Sequence, residues 1–166
     1  MLLRKQSSYA ESFEAKMQFR PRKTGYEAGI VIWWNQYSYA SYGLVLCEGS
    51  DGEQALTTIS RVPTGRVGEM TSECPDREPH DEQDAKPKIL LGDTIRLRIE
   101  AFHTEYQISI ETQNHTSVRN FQTKKLTVMP PIGGAFCGTM FGVYSFGRAE
   151  PVLDPADFFD IIIKAI

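Results

Sequence analysis

The sequence has few of the features that announce chemistry. Its three cysteines, Cys47, Cys74 and Cys137, cannot all pair, and none stands in a CxxC arrangement. Isolated thiols are expected, two of them core-like beside Leu46 and Phe136. No run approaches the roughly 18 apolar residues needed to span a bilayer. No basic run exceeds two residues and the formal net charge is -3, which argues against a nucleic-acid partner held by phosphate neutralisation. The opening MLLRKQSSYAESFEAK places its two leucines before its basic pair, the reverse of a secretory signal. As written, the chain is expected in the cytosol, with no membrane partner.

Catalytic signatures are missing too. The histidines His80, His103 and His115 are scattered, and there is no GxSxG, HExxH or P-loop. Glu14, Glu27, Glu100 and Glu111 could meet in space, but solvated charge on polar strand faces is the ordinary role of such residues. No catalytic residue is therefore expected. Asn114-His115-Thr116 fits the glycosylation sequon, which has meaning only in a secreted protein. Cys74 and His80 lie among carboxylates, yet their spacing fits no zinc pattern.

What the chain does have is alternation. Phe13, Ala15, Met17 and Phe19 share one face against Ser12, Glu14, Lys16 and Gln18. Thr94 to Ala101 repeats the pattern, and Tyr106, Ile108 and Ile110 continue it, as half-buried antiparallel strands do. His103-Thr104-Glu105 joins two of these strands as a hairpin, Gly92-Asp93 opens another strand, and Glu48 to Gly52 supplies turn positions. Further strands are expected at 28–34, 38–47, 54–62, 117–122, 140–146 and 157–165. No window carries a capped helical stripe. With 166 residues this describes a single all-β domain, a two-sheet sandwich or barrel. Residues 71–88, with six acids and three prolines, cannot bury enough surface to order themselves and are expected to form a mobile polar loop.

The aromatic cluster is the strongest hint of binding. Trp33 and Trp34 are adjacent in a strand and so point to opposite faces, one of them into the core. Tyr37 and Tyr39 share a face if the strand is regular, and Tyr42 follows. The tryptophan outside the core, with Tyr37 and Tyr39, offers a stacking surface for sugar rings. Equally, these aromatics could line a core or a contact with another domain.

Several segments, in order, resemble a known domain. They are Leu2-Leu3-Arg4-Lys5-Gln6, Phe13 through Phe19-Arg20-Pro21, Glu27-Ala28-Gly29-Ile30-Val31 and Ile95-Arg96-Leu97-Arg98-Ile99 leading to Tyr106. Gly133-Gly134-Ala135-Phe136-Cys137-Gly138, Phe141-Gly142-Val143-Tyr144 and Ala156-Asp157-Phe158-Phe159 complete the set. The pattern resembles the C-terminal concanavalin A-like domain of glycoside hydrolase family 43, the β-xylosidase and α-arabinofuranosidase enzymes. The chain departs from it at Ala135-Phe136-Cys137, at Phe159 where an aspartate is usual (Asp160 follows), and in starting without a family-typical first strand.

The resemblance implies an antiparallel concanavalin A-like jelly-roll sandwich. It also implies that the catalytic carboxylates belong to a separate five-bladed propeller, so that none transfers to this chain. The implied role is a non-catalytic accessory module that docks on the propeller or supports its substrate pocket, and the chain would be extracellular if its parent enzyme is secreted. The alternative is an independent lectin-like module for plant cell-wall oligosaccharides, and a small hydrolase is a third reading. Concanavalin A-like sandwiches often hold calcium. Asp154, Asp157 and Asp160 are candidate oxygen ligands, although Asp157 and Asp160 fall on opposite faces of a regular strand. A bare sheet edge left by a missing strand could pair with a second copy.

Overall fold

A computed structural model describes residues 1–48, 52–73, 89–113, 115–128, 138–147, 154 and 156–166. Eleven strands and one short helix occur among them. The chain runs through β1 (Leu2–Lys5), β2 (Glu11–Phe19), β3 (Glu27–Asn35), β4 (Ser38–Glu48), β5 (Gln54–Pro63) and β6 (Met70–Glu73). It continues through β7 (Thr94–Ala101), β8 (Glu105–Glu111), β9 (Thr116–Gln122), α1 (Thr123–Leu126), β10 (Met140–Phe146) and β11 (Ala156–Ala165).

These strands build two antiparallel sheets. One has six strands in the order β1-β10-β3-β4-β5-β6, and the other has five in the order β11-β2-β7-β8-β9. The sandwich is the expected kind, and its registers follow the alternation. Phe13 faces Ile99, Ala15 faces Leu97 and Met17 faces Ile95, while Ile99 continues onto Ile108. From the six-stranded sheet, Ile30, Ile32, Tyr42, Leu44, Leu46, Phe141 and Val143 meet this layer in a single core. A two-residue period places one face of each strand inside, so burial follows directly from the sequence pattern.

Two polar clasps tie the sheets at their ends. Glu11 opens β2 almost fully buried and accepts hydrogen bonds from Arg4 Nη1 at 2.8 Å, Ser7 N at 2.9 Å and Ser7 Oγ at 2.8 Å. This fixes the crossing from β1 in one sheet to β2 in the other. Asp154, also buried, accepts from Arg22 N and Arg22 Nε, both at 2.7 Å, and so anchors the entry to β11 beside the exit from β2.

Three local features differ from expectation. Residues 71–73 pair with β5 as part of β6, so the polar loop is shorter than 71–88, and 74–88 lie outside the described residues together with Cys74 and His80. A single helical turn, α1, follows β9 without a side-chain N-cap. Its last carbonyl, that of Leu126, accepts from Ser38 Oγ at 2.5 Å. Cys47 alternates onto the outer face of its sheet, half-buried beside Thr57 at 3.5 Å, rather than joining the core as Leu46 does. Cys137, Asn114 and the glycine turn from Gly133 through Cys137 lie outside the described residues.

Candidate functional site

The outer face of the six-stranded sheet is built around an absence of side chains. Gly29 and Gly43 sit directly opposite each other on β3 and β4, and Tyr144 on β10 pairs with Gly29 from the other side. A methyl group on Gly43 would lie 2.3 Å from the Ala28 carbonyl oxygen and 2.8 Å from the Tyr144 hydroxyl. The glycines therefore leave a bare floor over which the Tyr144 hydroxyl reaches.

Three polar side chains converge over that floor. Glu27, 2% exposed on β3, accepts two hydrogen bonds from Arg61 on β5, Nη1 to Oε1 at 2.5 Å and Nη2 to Oε2 at 2.8 Å. The Tyr144 hydroxyl donates to the same Oε1. The two-pronged fork matches carboxylate geometry and strengthens both bonds. Those bonds, set against the cost of burial, hold Arg61 further above its already high range. Burial, then the neighbouring Glu27 charge, pushes the Tyr144 phenol well above its ordinary value, so it remains a donor. Ser41 lies beside this group, 3% exposed, close to the Tyr144 phenol but with its Oγ making no hydrogen bond of proper geometry.

Aromatic residues form the rim. Trp33 stacks on Tyr39, with ring centroids 5.6 Å apart and 23° between planes, because the β3–β4 register places the two opposite each other. With Val31, Phe146 and Met1 they enclose a depression of about 590 Å³ whose polar floor is Glu27, Ser41, Arg61 and Tyr144. The two tryptophans do point to opposite faces. Trp34 follows Ile30 and Ile32 onto the inner face, where it packs against the core, and a bulge between Trp33 and Asn35 ends the regular register there. Trp34 lines a second depression, of about 520 Å³, with Tyr106 and His103 at one end of the sandwich. Tyr37 does not join Tyr39 on a strand face. It sits in the β3–β4 turn, its N–H donating to Asn35 Oδ1 at 2.7 Å and its carbonyl accepting from Gly68 N at 3.1 Å.

The other sequence candidates are dispersed. Glu14 and Glu111 pair with Arg96 at 3.2 and 3.3 Å, and Glu100 pairs with Arg98 at 2.8 Å, all on the polar face of the five-stranded sheet. Asp154 is engaged by Arg22, Asp160 by Lys16 Nζ at 2.8 Å, and Asp157 is exposed. The three aspartates thus do not come together. Among the described residues no group of three or more His, Cys, Asp or Glu is placed to hold a metal. Asp160 has φ of 49° and lies in a bulge between Phe159 and Ile162. Arg61, Ser41 and Tyr144 escaped sequence reasoning. The signal was available only in part, as a glutamate beginning a strand whose next five residues are small or apolar and buried.

The chain resembles solved structures across almost its whole length. A protein titled Bacteroides ovatus xyloglucan PUL GH43B is 21% identical, with a TM-score of 0.66 over 97% of this chain and 28% of that one. The GH43 protein BlXynB of Bacillus licheniformis (K247S mutant) is 14% identical, with a TM-score of 0.69 over 99% of this chain and 29% of that one. An alginate lyase from Klebsiella pneumoniae is 16% identical, with a TM-score of 0.59 over 94% of this chain and 60% of that one. The chain thus spans less than a third of the two glycosidase-family structures. No curated protein sequence matches it significantly. The family model for the beta xylosidase C-terminal concanavalin A-like domain matches residues 1–162, and the chain belongs to that family.

Proposed function

We propose that this chain is a non-catalytic accessory module that packs against the catalytic propeller of a family 43 glycoside hydrolase and helps shape its substrate pocket. The observation that carries the reading is the character of β11. This ten-residue strand is the edge of the five-stranded sheet, yet Phe159, Ile161 and Ile162 on it are all exposed, as is Ile166 just after it. Natural sheets protect edges with charge, proline or a covering element, and a cluster of exposed apolar residues marks an interaction surface. The match to a family defined as a C-terminal domain supports a polypeptide partner for that edge.

Sedimentation of the chain mixed with a separately produced family 43 propeller domain tests the reading. A one-to-one complex is expected, and the double variant Ile161→Lys, Ile162→Lys should abolish it while keeping the circular dichroism of a folded sandwich. A complex that survives the double variant would remove β11 as the contact, and no complex at all would remove the docking role.

A further inference from the structure

We propose that the depression on the outer face of the six-stranded sheet binds a neutral saccharide, its ring stacking against the Trp33–Tyr39 pair and its hydroxyls meeting Ser41 and Arg61. This stands independently of the docking reading, because β11 belongs to the other sheet. The volume, about 590 Å³, falls within the range of roughly 300–1,000 Å³ usual for small-molecule pockets.

The chemistry of the floor narrows the ligand. Ser41 Oγ is a buried hydroxyl on the wall of the depression, close to the Tyr144 phenol but without a hydrogen bond of proper geometry. Leaving such a group unpaired costs free energy, and a ligand hydroxyl that can both donate and accept relieves it. Arg61 directs one N–H of each Nη at Glu27, and a guanidinium has five such donors, so others remain for a ligand oxygen. The Arg61 charge itself is already compensated by a buried carboxylate, so the floor carries no net charge. An anionic sugar would have to compete with Glu27 for the same fork, or lie in a buried site without a counter-charge. A neutral polyol meets neither obstacle.

The rim supplies the apolar half of the recognition. Trp33 and Tyr39 are half-buried and stacked on each other, so they are held in place before any ligand arrives, and less side-chain entropy is lost on binding. An aromatic surface next to a row of hydroxyl partners fits the amphipathic faces of a sugar ring.

The test is titration of the full chain with xylotriose and cellotriose as neutral probes and trigalacturonate as the anionic one, followed by tryptophan fluorescence and calorimetry. Saturable binding of a neutral probe in the millimolar range is expected, with trigalacturonate at least about tenfold weaker. Trp33→Ala should weaken binding about tenfold or more, and Ser41→Ala about three- to tenfold. Trp34→Phe, in the other depression, should leave it unchanged. Circular dichroism of each variant checks that the sandwich is retained. No heat from either neutral probe at about 10 millimolar, roughly tenfold above a millimolar Kd, would overturn the proposal. So would binding that survives Trp33→Ala, or equal binding of trigalacturonate.

Discussion

Glu27 and Arg61 meet as a two-pronged ion pair across the full width of β4, with contacts of 2.5 and 2.8 Å. Their strands are not neighbours. The guanidinium reaches diagonally over Gly43 from its own level, opposite Ser41, to the level of Val45, where Glu27 sits. The pair therefore bridges three strands over the glycine floor, beside the Tyr144 hydroxyl. Removing one partner leaves a buried charge alone, which costs far more than the pair contributes relative to an apolar replacement.

Arg61→Ala should accordingly destabilise the chain by about 3 kcal/mol. Arg61→Ala combined with Glu27→Gln should recover part of that loss, since the second change removes the uncompensated carboxylate. Urea unfolding of the single and double variants measures both. Equal stability of Arg61→Ala and the parent would mean that the carboxylate is not charged and buried as described.

The glycine floor makes a second demand. A side chain at position 43 meets backbone at 2.3 Å, which a shift of a flexible neighbour cannot relieve, and it displaces the Tyr144 hydroxyl from Glu27. Gly43→Ala should cost about 1–3 kcal/mol by overpacking, despite the usual gain in strand propensity when glycine is replaced. Thermal unfolding decides the sign. A stabilised Gly43→Ala variant would show that β3 and β4 can separate there.

Acid sensitivity should come from the two clasps. Burial alone would raise the Glu11 carboxyl, but hydrogen bonds from Arg4 and Ser7 outweigh it and hold it below its ordinary value. The Arg22 backbone N–H, then its guanidinium, hold Asp154 below its own. A folded-state value below the unfolded one gives stability that is present above the unfolded value and is lost as pH falls through the folded one. Stability should therefore fall as pH drops below about 4.5, the ordinary value of Glu11, and keep falling as pH passes through the lower folded-state values. Glu11→Gln and Asp154→Asn should each flatten that slope. Chemical unfolding at a series of pH values reads the slope directly, and an unchanged slope in both variants would assign the acid sensitivity elsewhere.

Much of the fold was legible from alternation, because a half-buried strand writes its pattern into consecutive residues. The boundaries of β7 and β10 follow the expected ranges, and β2 differs by one residue. β6 and α1 are only four residues each, too short for any periodicity. Tyr37 was misplaced because a regular strand was assumed through a turn. Trp34 and Asn35 fall together on one bulge, and a two-residue period cannot foresee a bulge. The site was legible least. Glu27 falls just before the strand expected at 28–34, and its partners are distant in sequence, Arg61 by 34 residues and Tyr144 by 117. Only the folded registers bring the three onto one face.

Ser38 ties α1 to β4. Its buried hydroxyl donates to the Leu126 carbonyl at 2.5 Å, one of the carbonyls a helix end leaves without an internal partner. Ser38→Ala should cost about 1 kcal/mol, the loss of one hydrogen bond, because the Leu126 carbonyl still accepts from Val128 N at 2.8 Å. Ser38→Thr keeps the hydroxyl and should cost less. The comparison by urea unfolding separates a lost hydrogen bond from a general intolerance of change at that position.

The bulge in β11 gives a last contrast, at a single backbone angle. Asp160 has φ of 49°, a left-handed conformation that aspartate tolerates and that β-branched residues do not. Glycine fits the angle freely, but it adds disorder to the unfolded chain and gives up the exposed Lys16 pair at 2.8 Å, worth about 0–1 kcal/mol. These effects oppose one another, so Asp160→Gly should change stability by no more than about 0.5 kcal/mol. Asp160→Val loses the same pair and must also force a β-branched residue into the left-handed region, at about 1–2 kcal/mol. Thermal unfolding of the two variants should therefore differ clearly in midpoint. If valine is tolerated as well as glycine, the bulge is free to relax and the register of β11 against β2 is not held by Asp160.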